Sequence, residues 1–480
     1  MDLSKTVKSA SKWSLITEIV TKLIVPITNM VLARLLTPSA FGMVATITMI
    51  TSFADLFSDA GFQKYIVQKD FKTKEELDKN TNVAFWVNIS ISLLLWILIF
   101  ACRNPLARIV GNPGLGNAIA VSALSLLLTS FSSIQLARFR RDLDFKTLFW
   151  AKLVGILVPI IVTVPLAFFM RSFWALVIGT LCVNIANAVM LTIKSSWRPK
   201  VFFNIHILKN MLSFSLWTLF EQLLGWANLN IGVFIVGSFL SEYYLGLYKT
   251  SMATSNQIFA IIINALSPVL LSSLSKINND NEAFSAFFYS FEKKIALIVL
   301  PLGVGIFVYQ NLFTSILLGG QWSEAAAFIG MWGMLRALWI VYGMFSMEVF
   351  VSMGIPKISV IGQLLEILVL FPVLLYSALL GYEEVCITRS AVILLMIIIE
   401  MTLLKLYSPI SPTIIIKSCM PYMVASICMG IVGVVFVIHT DNIIFQCMSI
   451  VICIITYLCC LLLFKDSRMN LREVLKGVIR

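Results

Sequence analysis

A chain of 480 residues that is 59% hydrophobic and only 12% charged carries more apolar surface than a water-soluble fold of that length can bury. A net charge of +12 would suit a nucleic-acid partner if the cations clustered, but they lie scattered through short polar segments between long apolar ones. A soluble domain and a nucleic-acid binder are thereby excluded, which leaves an all-α integral membrane protein whose apolar stretches of ~20 residues each cross a ~30 Å hydrocarbon core.

Fourteen such stretches are predicted as membrane helices. The first two, at about 13 to 35 and 41 to 62, are joined through VLARLLTPSAFGMVA, residues 31–45. In the first, Glu18 and Lys22 stand one turn apart with the acid N-terminal, the favourable order for a helical ion pair. Pro26 leaves the carbonyl of Lys22 without its usual N–H donor, and Asn29 continues the same face. This span is too long for a signal-peptide core and reads as retained. Lys5, Lys8 and Lys12 precede it along one helix side, an anchor for acidic lipid. Asp55 and Asp59 close the second span beside Lys64 and read as interface charges.

Spans three to six fall at about 82–101, 117–137, 147–170 and 172–193. The loop RRDLDF holds Asp142 and Asp144 in a DxD pattern, but with no soluble nucleotide-binding domain beside it the two acids read as solvated counter-charges. The seventh span, about 210–240, places Glu221 at a depth like that of Glu18, on a stripe with Trp217 and Asn228. It ends in IVGSFLSEYYLGLYK, residues 235–249, which superposes without a gap on residues 31–45 at an offset of 204. The match extends to Lys5 with Lys209, Ser9 with Ser213, Trp13 with Trp217 and Gly42 with Gly246. Lys249 opens span eight (245–271), span nine is read at 292–318, and Arg336 is the deepest arginine, in span ten (326–353). Spans eleven and twelve follow at 358–381 and 386–404; the last two, 418–438 and 443–464, have no partner in the repeat. Segments 272–294 and 466–480 are amphipathic; in the tail Leu471, Val474, Leu475 and Val478 share one face, as in a helix lying at the interface.

An offset that spans an even number of helices returns the second copy in the same orientation. The expected architecture is two pseudo-symmetric six-helix lobes, 1–204 and 205–409, around a central cavity, then two additional helices (410–465) and a cytoplasmic tail (466–480). Pro38 or Glu242 marks the end of one helix and Gly42 or Gly246 lets the next pack closely, so each turn is the hinge of a rigid hairpin. The great majority of the 36 Lys and Arg fall on one side of the alternating loops, which places both termini in the cytoplasm by the positive-inside rule.

A charge at mid-bilayer costs at least ~2.5 kcal/mol on insertion scales, so each one needs a compensating role. Spans one and seven are repeat mates, and Glu18 and Glu221 would face a shared lumen as candidates for ion-coupled titration. Lys22, Arg336 and Lys249, with Asn29 and Asn228, would suit a phosphate or pyrophosphate group there. The competing reading makes Glu18 and Lys22 a self-contained pair, matches Arg336 with Glu366, and lets Lys249 snorkel outward. Glu348 and Glu400 read as interface charges near helix ends. His206 and His439 are the only histidines, neither in a metal-ligand spacing, and no phosphate-binding Gly-rich loop is present; no catalytic residue, metal or cofactor is assigned. The nine cysteines lack a CxxC spacing and read as core fillers, with one disulfide, Cys102 to Cys386, left open.

Taken together, WSLITEIV, FADLFSDAGF, ARFRRDLDF, SSWRP, IVGSFLSEYYLGLYKTSMA and LSPVLLSSLSKI resemble the polysaccharide-transporter family of the multidrug/oligosaccharidyl-lipid/polysaccharide flippase superfamily, the Wzx-type exporters, over roughly residues 1 to 300. The resemblance implies a twelve-helix core with two extra helices, in a bacterial inner membrane. It implies export of an undecaprenyl-pyrophosphate-linked oligosaccharide by alternating access, with membrane lipids and polysaccharide assembly proteins as partners. Arg34, Pro38, Gly42, Asp59, Gly61 and Gly246 then stand as fold and hinge elements. Where relatives often carry an acid and a base, this chain has Gly232 and Ser238, so no charged role transfers there. Two alternatives stay open: a multidrug or organic-cation exporter of the same superfamily, distinguished by an acidic lumen, and a polysaccharide polymerase, which would want a sizeable outer catalytic region.

Overall fold

The computed structural model describes residues 3–59, 61–439, 442–464 and 468, with the side chains of residues 3–11, 15, 59 and 213–218 also outside the description. The expectations for Lys5, Lys8, Asp59, Trp217 and the 466–480 face therefore lie outside the described residues.

Among the described residues every regular element is helical. Thirteen helices are long and apolar enough to cross a membrane, or fourteen if one bent pair counts as a single span. Outward-facing apolar side chains such as Ile161, Phe169, Leu229 and Leu368 are exposed, as expected of a surface wetted by lipid. The chain divides into two compact units, Met1–Gly246 and Leu247–Arg480.

The N-terminal unit contains α1 (Leu3–Leu35), α2 (Pro38–Asp59), the short α3 (Phe62–Gln68), α4 (Lys74–Ala101), α5 (Arg103–Ile109), α6 (Gly116–Ser122), α7 (Ser125–Arg141) and α8 (Phe145–Val158). A π-helical turn at Pro159–Thr163 carries α8 into α9 (Val164–Met170), and α10 (Trp174–Lys194) and α11 (Ile205–Phe239) follow. The last helix of the unit begins α12 (Glu242–Lys276). Thr73 caps α4 by accepting from the Glu76 backbone N–H at 3.1 Å, while the Glu76 carboxylate reaches back past the cap to accept from Lys72 N–H at 3.0 Å. Asp144 of the DxD loop is likewise an N-cap, accepting from Thr147 N–H at 3.1 Å.

Two of the sequence motifs serve one small core at the end of this unit, where α3, α4 and α7 meet. Trp197 of SSWRP packs edge-on against Phe85 at 5.5 Å, and the Arg138 guanidinium sits 5.8 Å over its ring. Arg141 donates to the carbonyls of Ile66 (2.8 Å), Val67 (3.3 Å) and Lys69 (2.6 Å), satisfying the C-terminal end of α3. The basic run in ARFRRDLDF thus ties a short helix down.

The C-terminal unit continues α12 and adds α13 (Asn281–Val308), α14 (Gln310–Leu317), α15 (Ala326–Trp339), a π turn at Ile340–Met344, α16 (Ser346–Ser352), α17 (Lys357–Leu380), α18 (Tyr382–Tyr407), α19 (Pro412–His439) and α20 (Ile443–Leu463). Here the structure departs from the sequence reading. The ninth span begins at Asn281, capped by Asp280, so that part of the segment expected to lie at the interface is the start of a membrane helix. It also breaks by 87° at Tyr309 instead of running straight to residue 318. The nine cysteines are free; Cys102 is exposed and Cys386 buried.

The repeat is kept to the residue where it was most visible. α1 ends at Leu35 and α11 at Phe239, α2 starts at Pro38 and α12 at Glu242, each pair separated by the 204 residues of the sequence offset. Within the N-terminal unit the two turns pack on each other reciprocally. A Cβ on Gly42 would collide with the carbonyl oxygen of Glu242, and a Cβ on Gly246 with that of Pro38. Residue and partner swap roles between the copies, as a two-fold axis through the contact requires.

Candidate functional site

The helices of the N-terminal unit enclose two cavities that meet at Lys152 and Asn187. The larger, about 540 Å³, is lined by Ser14, Thr17 and Glu18 of α1, Asp55 of α2, Gln63 of α3, Thr129, Ser132, Ser133 and Arg140 of α7, Lys152 of α8, and Asn184 and Asn187 of α10. The smaller, about 380 Å³, is mainly apolar, with Val25, Leu32, Phe41, Val44, Ile156 and Leu176 around Thr28 and Asn29.

The geometry follows from small and hydroxylated residues at helix crossings. Gly155 leaves room for the Asn187 amide, whose Oδ1 would be 3.2 Å from a Cβ there, and Gly179 is filled by the side chain of Thr163. On α1 the Thr17 and Thr28 hydroxyls donate back to the carbonyls of Trp13 (2.8 Å) and Ile24 (3.0 Å), which spares them another partner. The Trp13 and Phe149 rings, 5.0 Å apart, hold α1 against α8. Asp55 accepts from Thr129 Oγ1 at 3.0 Å, and Asn88 links Ser58 to Ser133, accepting at 2.8 Å and donating at 2.8 Å. Two acids, Glu18 and Asp55, and two bases, Arg140 and Lys152, therefore share one polar chamber in a membrane-embedded unit. Their mixture can hold a group of either sign, with amides and hydroxyls around it to complete its hydrogen bonds.

Glu18 and Asn29 lie on this cavity system, and Pro26 is inside α1 between them. Lys22 is half-buried on α1, lines neither cavity, and forms no ion pair with Glu18 among the described residues. Glu221 pairs with Lys64 of α3 at 3.8 Å, both side chains roughly half exposed, and Asn228 is half-buried further along α11. Pro38, Gly42 and Gly246 come together in the reciprocal turn contact.

Lys249 and Arg336 belong to the C-terminal unit. Lys249 is half-buried in the second turn of α12. Glu366 meets Arg389 of α18 at 3.6 Å, and its charge also acts on Arg336. The Arg336 guanidinium stacks 4.2 Å over Trp339, and its Nε is buried without a hydrogen-bond partner. Glu348 and Glu400 are not interface charges. Ser267 donates to Glu348 at 2.7 Å, and Glu400 is buried, accepting from Ser346 at 2.5 Å.

Sequence reasoning passed over Asp55, Arg140, Lys152, Asn184 and Asn187. Asp55 was assigned to the interface, and Lys152 stood inside span five without being followed. The spacing of Asn184 and Asn187 at i and i+3, in register with Leu191, was a readable polar stripe on span six.

Thirteen or fourteen helices long and apolar enough to cross a membrane, among the described residues, with a polar, charge-bearing chamber inside one unit, define a polytopic membrane protein. The family described as "Polysaccharide biosynthesis protein" matches residues 31–327, more than half of the chain, and the chain belongs to that family. The resemblance carried by the motifs is thereby borne out. Among curated relatives, the lipopolysaccharide biosynthesis protein WzxC of Escherichia coli (strain K12) is 22% identical over 334 residues, a match that covers 68% of this chain and 65%, less than two thirds, of that protein. Among solved structures, the Lipid II flippase MurJ in an inward closed conformation aligns with a TM-score of 0.74 at 15% identity, covering 98% of this chain and 99% of that one. An inward-facing multidrug resistance MATE family transporter aligns at 0.63 with 13% identity, covering 84% and 99%. The two fold neighbours are named as a flippase and a transporter.

Proposed function

We propose that this chain is a flippase that moves undecaprenyl-pyrophosphate-linked oligosaccharide repeat units from the cytoplasmic to the outer leaflet of a bacterial inner membrane by alternating access. The observation that carries the reading is the conjunction of a polysaccharide-biosynthesis family match with the fold of a lipid flippase. Both termini are cytoplasmic in this reading, and residues 1–204 and 205–409 act as the two moving lobes, with 410–465 as an added pair of helices. Arg336, whose Nε is buried without a hydrogen-bond partner, is the anchor for cargo phosphate, joined by Lys22, Lys249, Asn29 and Asn228 as the lobes rearrange. Glu18, in the polar chamber, and Glu221, in its loose pair with Lys64, serve ion coupling. The kink at Pro26 and the Pro38, Gly42 and Gly246 contact serve as hinges, because packed backbones without side chains between them separate as whole units.

The paired acids Glu18 and Asp55 favour a second reading, export of organic cations. One experiment separates the two. Arg336→Ala should abolish surface polymer while protein abundance in the membrane stays normal, with no change in susceptibility to cationic drugs. Normal polymer with raised drug susceptibility would favour the second reading.

A further inference from the structure

The corner where α13 breaks into α14 encloses a cavity of about 430 Å³ that no role above uses. Tyr309 stands at the 87° break, Asn311, Thr314 and Ser315 line it from α14, Ser323 from the following turn and Gln446 from α20. No described residue lining it is charged. The Tyr309 hydroxyl is hydrogen-bonded to Ser449 at 2.7 Å and lies 3.3 Å from the Cys453 sulfur, which pins the corner to α20. Thr314 is only 1% exposed, and its hydroxyl has no hydrogen-bond partner although it lines the cavity. Nothing lies within 4 Å of where a Cβ on Gly320 would stand, so the mouth beside it is open.

The chemistry of these walls selects among ligands. A phosphate would want Arg or Lys, and none is there. An acyl chain would leave the buried Thr314 hydroxyl unsatisfied and press hydrocarbon on the Asn311 amide and the Ser323 hydroxyl, at a cost comparable to lost hydrogen bonds. A neutral group rich in hydroxyls satisfies both donors and acceptors, including the buried Thr314, while Leu312 and Val437 meet its C–H faces. We propose that this corner is a docking site for neutral sugar units. It also gives α19 and α20 a task, since Val437 comes from the first and Gln446 and the Ser449 partner of Tyr309 from the second. That the sugar belongs to the transported cargo rests on the flippase reading; that the pocket takes sugar does not.

The test places the photo-reactive residue benzoylphenylalanine at Ser323, an exposed position, in the full-length protein in its native cells. Irradiation should give adducts bearing periodate-sensitive glycan mass, absent when the first sugar is not loaded onto the lipid carrier. Asn311→Leu and Gln446→Leu should each lower the adduct about fivefold, as loss of a ligand hydrogen bond implies. Glycan adducts that persist without cargo synthesis, as a membrane glycolipid headgroup would give, keep the sugar site and overturn its tie to cargo. Adducts of glycerophospholipid alone overturn the proposal. So does the lack of any adduct when the same group at lipid-exposed Leu463 labels normally. Export that continues without an adduct removes this site and leaves the flippase reading intact; an adduct in cells whose export survives deletion of the protein does the reverse.

Discussion

Both units hold a buried arginine in an ion pair over a tryptophan ring, Arg138 with Asp78 and Arg389 with Glu366, but they differ in whether their other charges border open space. In the N-terminal unit, Glu18, Asp55, Arg140 and Lys152 border open space, and only Asp55 among them is held by a hydrogen bond from a neighbouring helix. In the C-terminal unit the charges are closed off. Arg389 meets Glu366 and lies 5.0 Å over the Trp332 ring, Glu348 and Glu400 each take a serine hydroxyl, and Arg336 is stacked on Trp339. A charge inside a membrane protein is therefore not by itself a mark of a site. It becomes a candidate where space lies beside it or where its compensation is incomplete, a condition that Arg336 Nε shares with Glu348 Oε2 and Arg389 Nη1.

That contrast can be broken or sharpened by substitution. The largest effect is expected at Arg389→Ala, which removes a charged partner of Glu366 and should lower stability by ~3–5 kcal/mol; the double variant with Glu366→Ala should recover part of it. Thermal unfolding of the purified protein reads both, and a double variant no better than the single would show that the pair is not a closed unit. Next come Gly42→Val and Gly246→Val. Each forces a side chain into the carbonyl of the opposite turn and should cost ~1–3 kcal/mol together with most of export. Because they share one contact, their double variant should cost less than the sum. Lys152→Ala should change stability by no more than ~0.5 kcal/mol, since the side chain is exposed to the chamber, yet reduce polymer export about tenfold or more. Equal export with lowered stability would assign Lys152 to structure. Lys64→Ala, removing one end of a half-exposed pair with Glu221, should cost ~0.2–1 kcal/mol and diminish with added salt.

What was legible in the sequence follows from how local its causes are. Span number and the 204-residue repeat are written in apolar length and in paired Lys, Ser, Trp and Gly positions, and the ends of α1 and α11 keep that register. The break at Tyr309 was not legible, because the apolar run continues through it and only the packing of α14 turns the chain. Glu400 was misplaced for a similar reason: its serine partner is 54 residues away, and nothing near it in the chain announces the contact. The chamber required α1, α2, α7, α8 and α10 to converge, so its members appeared in the sequence as isolated polar residues whose shared surroundings had no local sign.

The most direct test is leaflet accessibility in vesicles that contain the purified full-length protein and the native lipid-linked oligosaccharide. Protein-dependent arrival of the glycan at the far leaflet, lost in Arg336→Ala and reduced in Lys152→Ala, is the expected result. A glycan that stays where it was loaded, in vesicles whose protein is folded and correctly inserted, would contradict the proposed function.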